Sequence, residues 1–253
     1  MINRVFSDEA GSTKQPYRST VQTAIEPSRR PSTILACPVQ RHDQEVTWRR
    51  EALSNAQKGQ LDAAIALLSD VIAHNPTSAD YNNRGLLYFQ NGQAQAALAD
   101  YNRALELDPR QARVYNNRAN CYAAMGYLVE AIDDYGTAID LDPANVHAWI
   151  NQGITFRDLE LYTQANENFE LALQLNELLQ EANSNSQRHL LSGHIYAERG
   201  RTHHLAGDWN YAIADYRRAI AALPEDPTIP DVSQRLRQQC QAWLNELLKP
   251  LQR

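Results

Sequence analysis

Three kinds of side chain in this 253-residue chain recur at spacings that could do chemistry. They are histidine pairs, arginines set sixteen residues before aspartates, and asparagines that return in a row. The histidines are the first place to look for a metal or a proton relay. His203 and His204 are adjacent, and His189 and His194 stand at i, i+5, so neither pair shares a helix face or has metal-ligand spacing. No glycine loop suited to a phosphate and no nucleophile motif is present. Cys37, Cys121 and Cys240 are widely separated and odd in number, which fits a reducing compartment better than a disulfide framework. These residues predict no enzyme, no cofactor and no metal site.

Charge narrows the partners. The formal net charge is −6 and the pI about 5.6, which speaks against a nucleic-acid surface built from excess Lys and Arg. The longest apolar run, Ala63 to Leu68, is far short of the ~20 residues that cross a bilayer. Arg29-Arg30 followed by Ile34-Leu35-Ala36-Cys37 imitates a twin-arginine or lipoprotein signal, but Pro31, Ser32 and Thr33 interrupt it. A cytoplasmic location is therefore expected, with peripheral attachment to a membrane-bound complex still compatible.

The charged pairs carry a geometrical message. Arg84, Arg118 and Arg199 precede Asp100, Asp134 and Asp215 by sixteen residues each. Two antiparallel helices folded about a turn midway between such positions place them at one height, where guanidinium and carboxylate can bond. A fourth pair at this spacing, Gln152 and Asn168, is neutral at both ends, and a first is Glu51 with Leu67. Losing both charges together is what a paired contact predicts. The asparagines Asn83, Asn117 and Asn151 recur at 34-residue steps, with Asn82 and Asn116 just before the first two and Asn120 nearby. A carboxamide both donates and accepts, so a row of them can grip an extended main chain without reading side chains strongly.

The elements that must position these residues come from one phrase said twice. YNNRGLLYFQNGQAQAALADYNRALELDP occupies residues 81–109, and YNNRANCYAAMGYLVEAIDDYGTAIDLDP occupies 115–143. Self-similarity at 34 residues means stacked helix pairs. Gly59, Gly92 and Gly126 fall at the turn within each pair, small residues such as Gly85 and Ala119 allow close approach, and Asp-Pro closes the second helix. This wording resembles the tetratricopeptide repeat (TPR) family of bacterial type, including proteins of photosynthetic bacteria that assist photosystem assembly. The resemblance implies an all-α right-handed solenoid of about five helix pairs, with repeats near 45–77, 78–111, 112–145, 146–181 and 187–224. Residues 1–42, with Pro16, Pro27, Pro31 and Pro38 among polar residues, are expected to form a flexible tail, or a docking or targeting arm. Residues 43–249 form the solenoid, closed by a capping helix at 231–248 on which Val232, Leu236, Cys240, Trp243, Leu244 and Leu247 share a face. The fourth repeat has Glu160 in place of the turn glycine and Glu177 in place of proline, so its second helix is expected to run on to about Glu181 and stop at Asn183–Ser186.

The same resemblance implies a concave groove lined by the first helix of each pair. There it places Asn82, Asn83, Asn116, Asn117, Asn120 and Asn151 with Arg49, Arg113, Arg157 and Arg201. The expected function is a scaffold or assembly factor whose groove holds an extended or C-terminal segment of another protein, one with some acidic character. The family's carboxylate clamp fails at two of five places, Leu53 and Asn117, in the frame that begins at Arg49. In the frame that begins at Asn116 it meets Glu198, the wrong charge. The rival expectation is a structural subunit bound through its convex face or through the long fourth-repeat helix.

Overall fold

The computed structural model of this protein describes residues 38–182, 187–223 and 231–249. They form helices α1 (Pro38–Gln57), α2 (Leu61–His74), α3 (Ser78–Gln90), α4 (Ala94–Leu107), α5 (Ala112–Ala124) and α6 (Leu128–Leu141). After these come α7 (Val146–Asp158), α8 (Tyr162–Ala182), α9 (Gln187–Ala206), α10 (Trp209–Ala222) and α11 (Asp231–Leu248). Each odd helix pairs with the even helix after it, and each even helix packs on the next odd one. In addition α3 touches α5, α5 touches α7 and α7 touches α9, whereas no two of α2, α4, α6 and α8 make an equivalent contact. The stack therefore curves inward on its odd-numbered side, and that side is the concave one.

The turn inside each pair needs a left-handed residue, because the first helix must end and the chain reverse within a few residues. Gly92 (φ 75°) and Gly126 (φ 83°) supply it in the two closely similar repeats. In the fourth repeat Glu160 takes the same conformation at φ 62°, although it carries a Cβ. The turn is thus preserved by the surrounding packing rather than by residue choice, at a cost of about 1 kcal/mol.

Within each pair a small residue of the first helix faces a large one of the second. A Cβ added to Gly85 would lie 2.8 Å from the Tyr101 ring, and one added to Gly153 would lie 3.0 Å from Phe169. Tyr101, Tyr135, Phe169 and Tyr216 are all fully buried in this role, flanked by Ala97, Ala131, Ala165 and Ala212. Small-against-large packing brings the helix axes together and fixes which faces meet.

One boundary differs from the sequence reading, and the long second helix of the fourth repeat agrees with it. α1 begins at Pro38, so residues 38–42, expected in the tail, form its first turn; proline is tolerated there because the first amide donors of a helix have no partner. α8 is 21 residues long against 14 for α4 and α6, since no proline stops it at Glu177. The stop expected at Asn183–Ser186, the proline-rich stretch 224–230 and residues 1–37 lie outside the described residues.

α11 takes the place that a further first helix would occupy. Cys240 and Leu244 join Ala212, Tyr216 and Ala219 in one apolar cluster, and Trp243 lies over Tyr216 with centroids 5.4 Å apart. Arg237 donates to the carbonyls of Ile220 and Leu223, where α10 ends with unpaired acceptors.

Candidate functional site

The arginine–aspartate pairs form as their spacing predicts. Arg84 donates through Nε and Nη2 to both oxygens of Asp100 at 2.7 Å, and Arg118 does the same with Asp134 at 2.7 Å. Arg199 bonds Asp215 at 2.7 and 3.0 Å. The third nitrogen of each arginine reaches back to the preceding pair: Arg84 to Ser69 Oγ at 3.0 Å, Arg118 to Asn102 Oδ1 at 2.7 Å, and Arg199 to Glu170. One guanidinium thus sets the height of its own partner helix and the stacking on the preceding pair. In the fourth repeat Asn168 donates to Gln152 Oε1 at 2.8 Å, and Gln152 donates to the Ile132 carbonyl on α6 at 3.2 Å. The neutral pair has the same connectivity as the charged ones.

Tyrosines complete the charged version. The Arg84 guanidinium lies between Tyr81 and Tyr88 at 5.7 and 5.6 Å, and Arg118 between Tyr115 and Tyr122 at 5.5 and 5.9 Å. Spacings of three and four residues on one helix face were the signal for these stacks, and sequence reasoning missed it.

The asparagines divide between exposed and internally bonded positions. Asn83 is exposed on α3. Asn117 donates to Asn82 Oδ1 at 2.9 Å, and Asn151 donates to Asn120 Oδ1 at 3.0 Å, which also accepts from the Tyr135 hydroxyl at 2.6 Å. Asn82 is buried, so it and Asn120 act as acceptors that stitch one first helix to the next. One amide bond engages each of Asn117 and Asn151, and their side-chain oxygens have no hydrogen-bond partner among the described residues. Asn116 keeps a buried Oδ1 without a hydrogen-bond partner among the described residues.

The arginines separate more sharply. Arg113 is exposed and enters no ion pair among the described residues. Arg49 instead forms a two-bond pair with Asp80 at 2.8 Å, on the capping box that starts α3. Arg157 is buried and bonds Glu198 and Asp158, and Arg201 lies over the Trp243 ring at 5.5 Å. Three of the four residues placed in the groove by position are therefore engaged inside the protein, because the fold uses their charge to join neighbouring helices. Glu198, which spoils the clamp frame, is the partner of Arg157.

Histidines and thiols occupy structural surroundings. His203 stacks on Tyr211, and His204 Nδ1 lies 3.3 Å from the Tyr216 hydroxyl. Burial lowers the proton affinity of His194, whose Nε2 lies 3.4 Å from Ser233 Oγ. Burial pushes the Cys121 thiol up to about 11 and Cys240 up to about 12, far from a reactive thiolate. Among the described residues no three His, Cys, Asp or Glu side chains converge as metal ligands would.

This geometry agrees with the known proteins the chain resembles. Residues 85–126 match the family model described as TPR repeat, and residues 112–145 match the tetratricopeptide repeat model. Among solved structures, a MamA protein superposes with a TM-score of 0.60 at 17% identity, over 75% of this chain and 100% of its own. A tetratricopeptide repeat protein from Parabacteroides merdae ATCC 43184 superposes with a TM-score of 0.60 at 20% identity, over 81% of this chain and 75% of its own. No curated protein matches in sequence. Residues 85–145 thus carry tetratricopeptide repeats, within an all-α solenoid of helix pairs ending in a capping helix. Repeats of this family are scaffolds for protein–protein interaction. No helix among the described residues is long and apolar enough to cross a membrane.

Proposed function

We propose that the concave face holds an extended segment of a partner protein, and that the protein acts as an adaptor or assembly factor in the cytoplasm. The observation that supports this most is the state of the carboxamides. Asn83 is exposed, and Asn117 and Asn151 are fixed by one amide bond each to the preceding helix. A side chain held on one side and open on the other is a preorganised acceptor for a peptide N–H. Arg113 is the one exposed groove arginine among the four considered, so acidic character in the partner is supported at a single point. Attachment to a membrane-bound complex would run through such a partner rather than through the chain itself.

Affinity capture from the source organism tests this reading with wild-type protein against the Asn83→Ala/Asn117→Ala/Asn151→Ala variant, thermal melting being recorded for both. The expected result is loss of the captured partner from a variant that still melts cooperatively. Undiminished capture would overturn the groove assignment.

A further inference from the structure

One cleft on the other side of the solenoid sets the fifth repeat apart. It measures about 900 Å³ and lies between α8 and α10, with Arg199 and His203 of α9 at its floor. Those two residues sit on the face of α9 opposite Ala197 and Arg201, so the cleft is separate from the groove. In the second and third repeats the space four residues beyond the registry arginine is filled by Tyr88 and Tyr122, each against its guanidinium. In the fifth repeat that position is His203, a smaller ring, and it is turned onto Tyr211 with centroids 5.2 Å apart and planes 25° apart. The tyrosine volume that the other repeats fill from within is left as open space. Leu171 and Ala214 line its walls, and Tyr211 (67% exposed) stands at its mouth. Trp209, 63% exposed, follows the same turn. Exposed aromatics around an apolar recess are the composition of a protein-binding anchor site.

The polar groups narrow the occupant. Asn166 lines the cleft, and its Oδ1 is buried with no hydrogen-bond partner among the described residues. Glu167, on the α8 rim, is exposed and enters no ion pair among the described residues. We infer that this cleft receives an aromatic side chain of a partner protein, tyrosine above others, presented beside a basic residue. The ring takes the place that Tyr88 and Tyr122 fill in the earlier repeats, its hydroxyl donates to Asn166 Oδ1 once the Asn166 side chain turns out from His203, whose Nδ1 its amide meets at 3.4 Å, and the basic neighbour meets Glu167. The site stands apart from the groove proposal and can fail without it.

The test is a random peptide library displayed on phage and panned against the full chain, with selected peptides then synthesised. Peptides carrying Tyr, Phe or Trp next to Lys or Arg should be enriched. Each should bind His203→Tyr, which restores the ring found in the other repeats, at least about tenfold more weakly than wild type. The same peptides should bind the triple asparagine variant with unchanged affinity. Equal affinity for His203→Tyr, or a library that yields no binder sensitive to that substitution, overturns the proposal. Should wild type self-associate in light scattering and His203→Tyr not, the occupant is a second copy of the chain, and the partner assignment is wrong. Thermal melting of His203→Tyr is expected to match or exceed wild type, so lost binding does not reflect lost fold.

Discussion

The third and fourth repeats solve one packing problem with different chemistry. At the same two facing positions the third has Arg118 and Asp134, and the fourth has Gln152 and Asn168. Both versions bond across the pair, and both reach back to the preceding even helix, at Asn102 and at the Ile132 carbonyl. The charged version adds two tyrosine stacks and a second bond, and it needs both charges present. The neutral version sits beside a turn that also departs from the pattern, with Glu160 strained where glycine stands elsewhere. What the fold requires is a bonded pair at that height. The charge is one way of making it, and a lone charge there would be worse than none.

The largest effect should follow from breaking the charged pair on one side. Asp134→Ala leaves Arg118, only 19% exposed, without its carboxylate, and should cost about 2–3 kcal/mol in denaturant unfolding. Converting the third repeat to the fourth repeat's solution, Arg118→Gln with Asp134→Asn, should cost less than about 1 kcal/mol, because nothing charged is left unpaired. A double as destabilised as the single would show that the two versions are not equivalent. In the other direction, Glu160→Gly relieves the left-handed residue and should raise stability by about 0.5–1 kcal/mol, trimmed by the greater unfolded freedom of glycine.

The smallest effect concerns pH at the junction of the first two repeats. Burial disfavours the charge of Asp80, but hydrogen bonds from Arg49 and Thr77 outweigh it and hold the carboxyl below its usual range. A depressed carboxyl stabilises the fold above its unfolded range, and that contribution is lost as pH falls through its folded value. The stability gap between wild type and Asp80→Asn should therefore be constant near neutrality and narrow below about pH 4.

The comparison also shows what was readable beforehand. The 34-residue step, the turn positions and the registry pairs were legible because they are periodic and each has a single physical cause. The loss of both charges at Gln152 and Asn168 was legible for the same reason. The reach of Arg199 to Glu170 was hidden, since the lengthened end of α8 and start of α9 set these residues 29 apart, where Arg118 and Asn102 are 16 apart. The start of α1 at Pro38 was hidden because a proline-rich polar segment has no helical period. The groove was legible as a set of positions and not as a set of free groups. Position cannot say that Arg157 is claimed by Glu198 or that Asn82 is claimed by Asn117. The cleft beside His203 became visible only when the fifth repeat could be laid on the second and third.

The proposal that the carboxamide row holds main chain rather than side chains is open to one direct measurement. Once a partner is captured, a synthetic peptide covering the bound segment can be compared with the same peptide methylated at alternate backbone nitrogens, by calorimetry on the full chain. The carboxamide oxygens of Asn83, Asn117 and Asn151 then face methyl groups where they should find N–H donors. Loss of affinity by about tenfold or more is the expected result. A methylated peptide that binds as tightly as its parent would contradict the proposal.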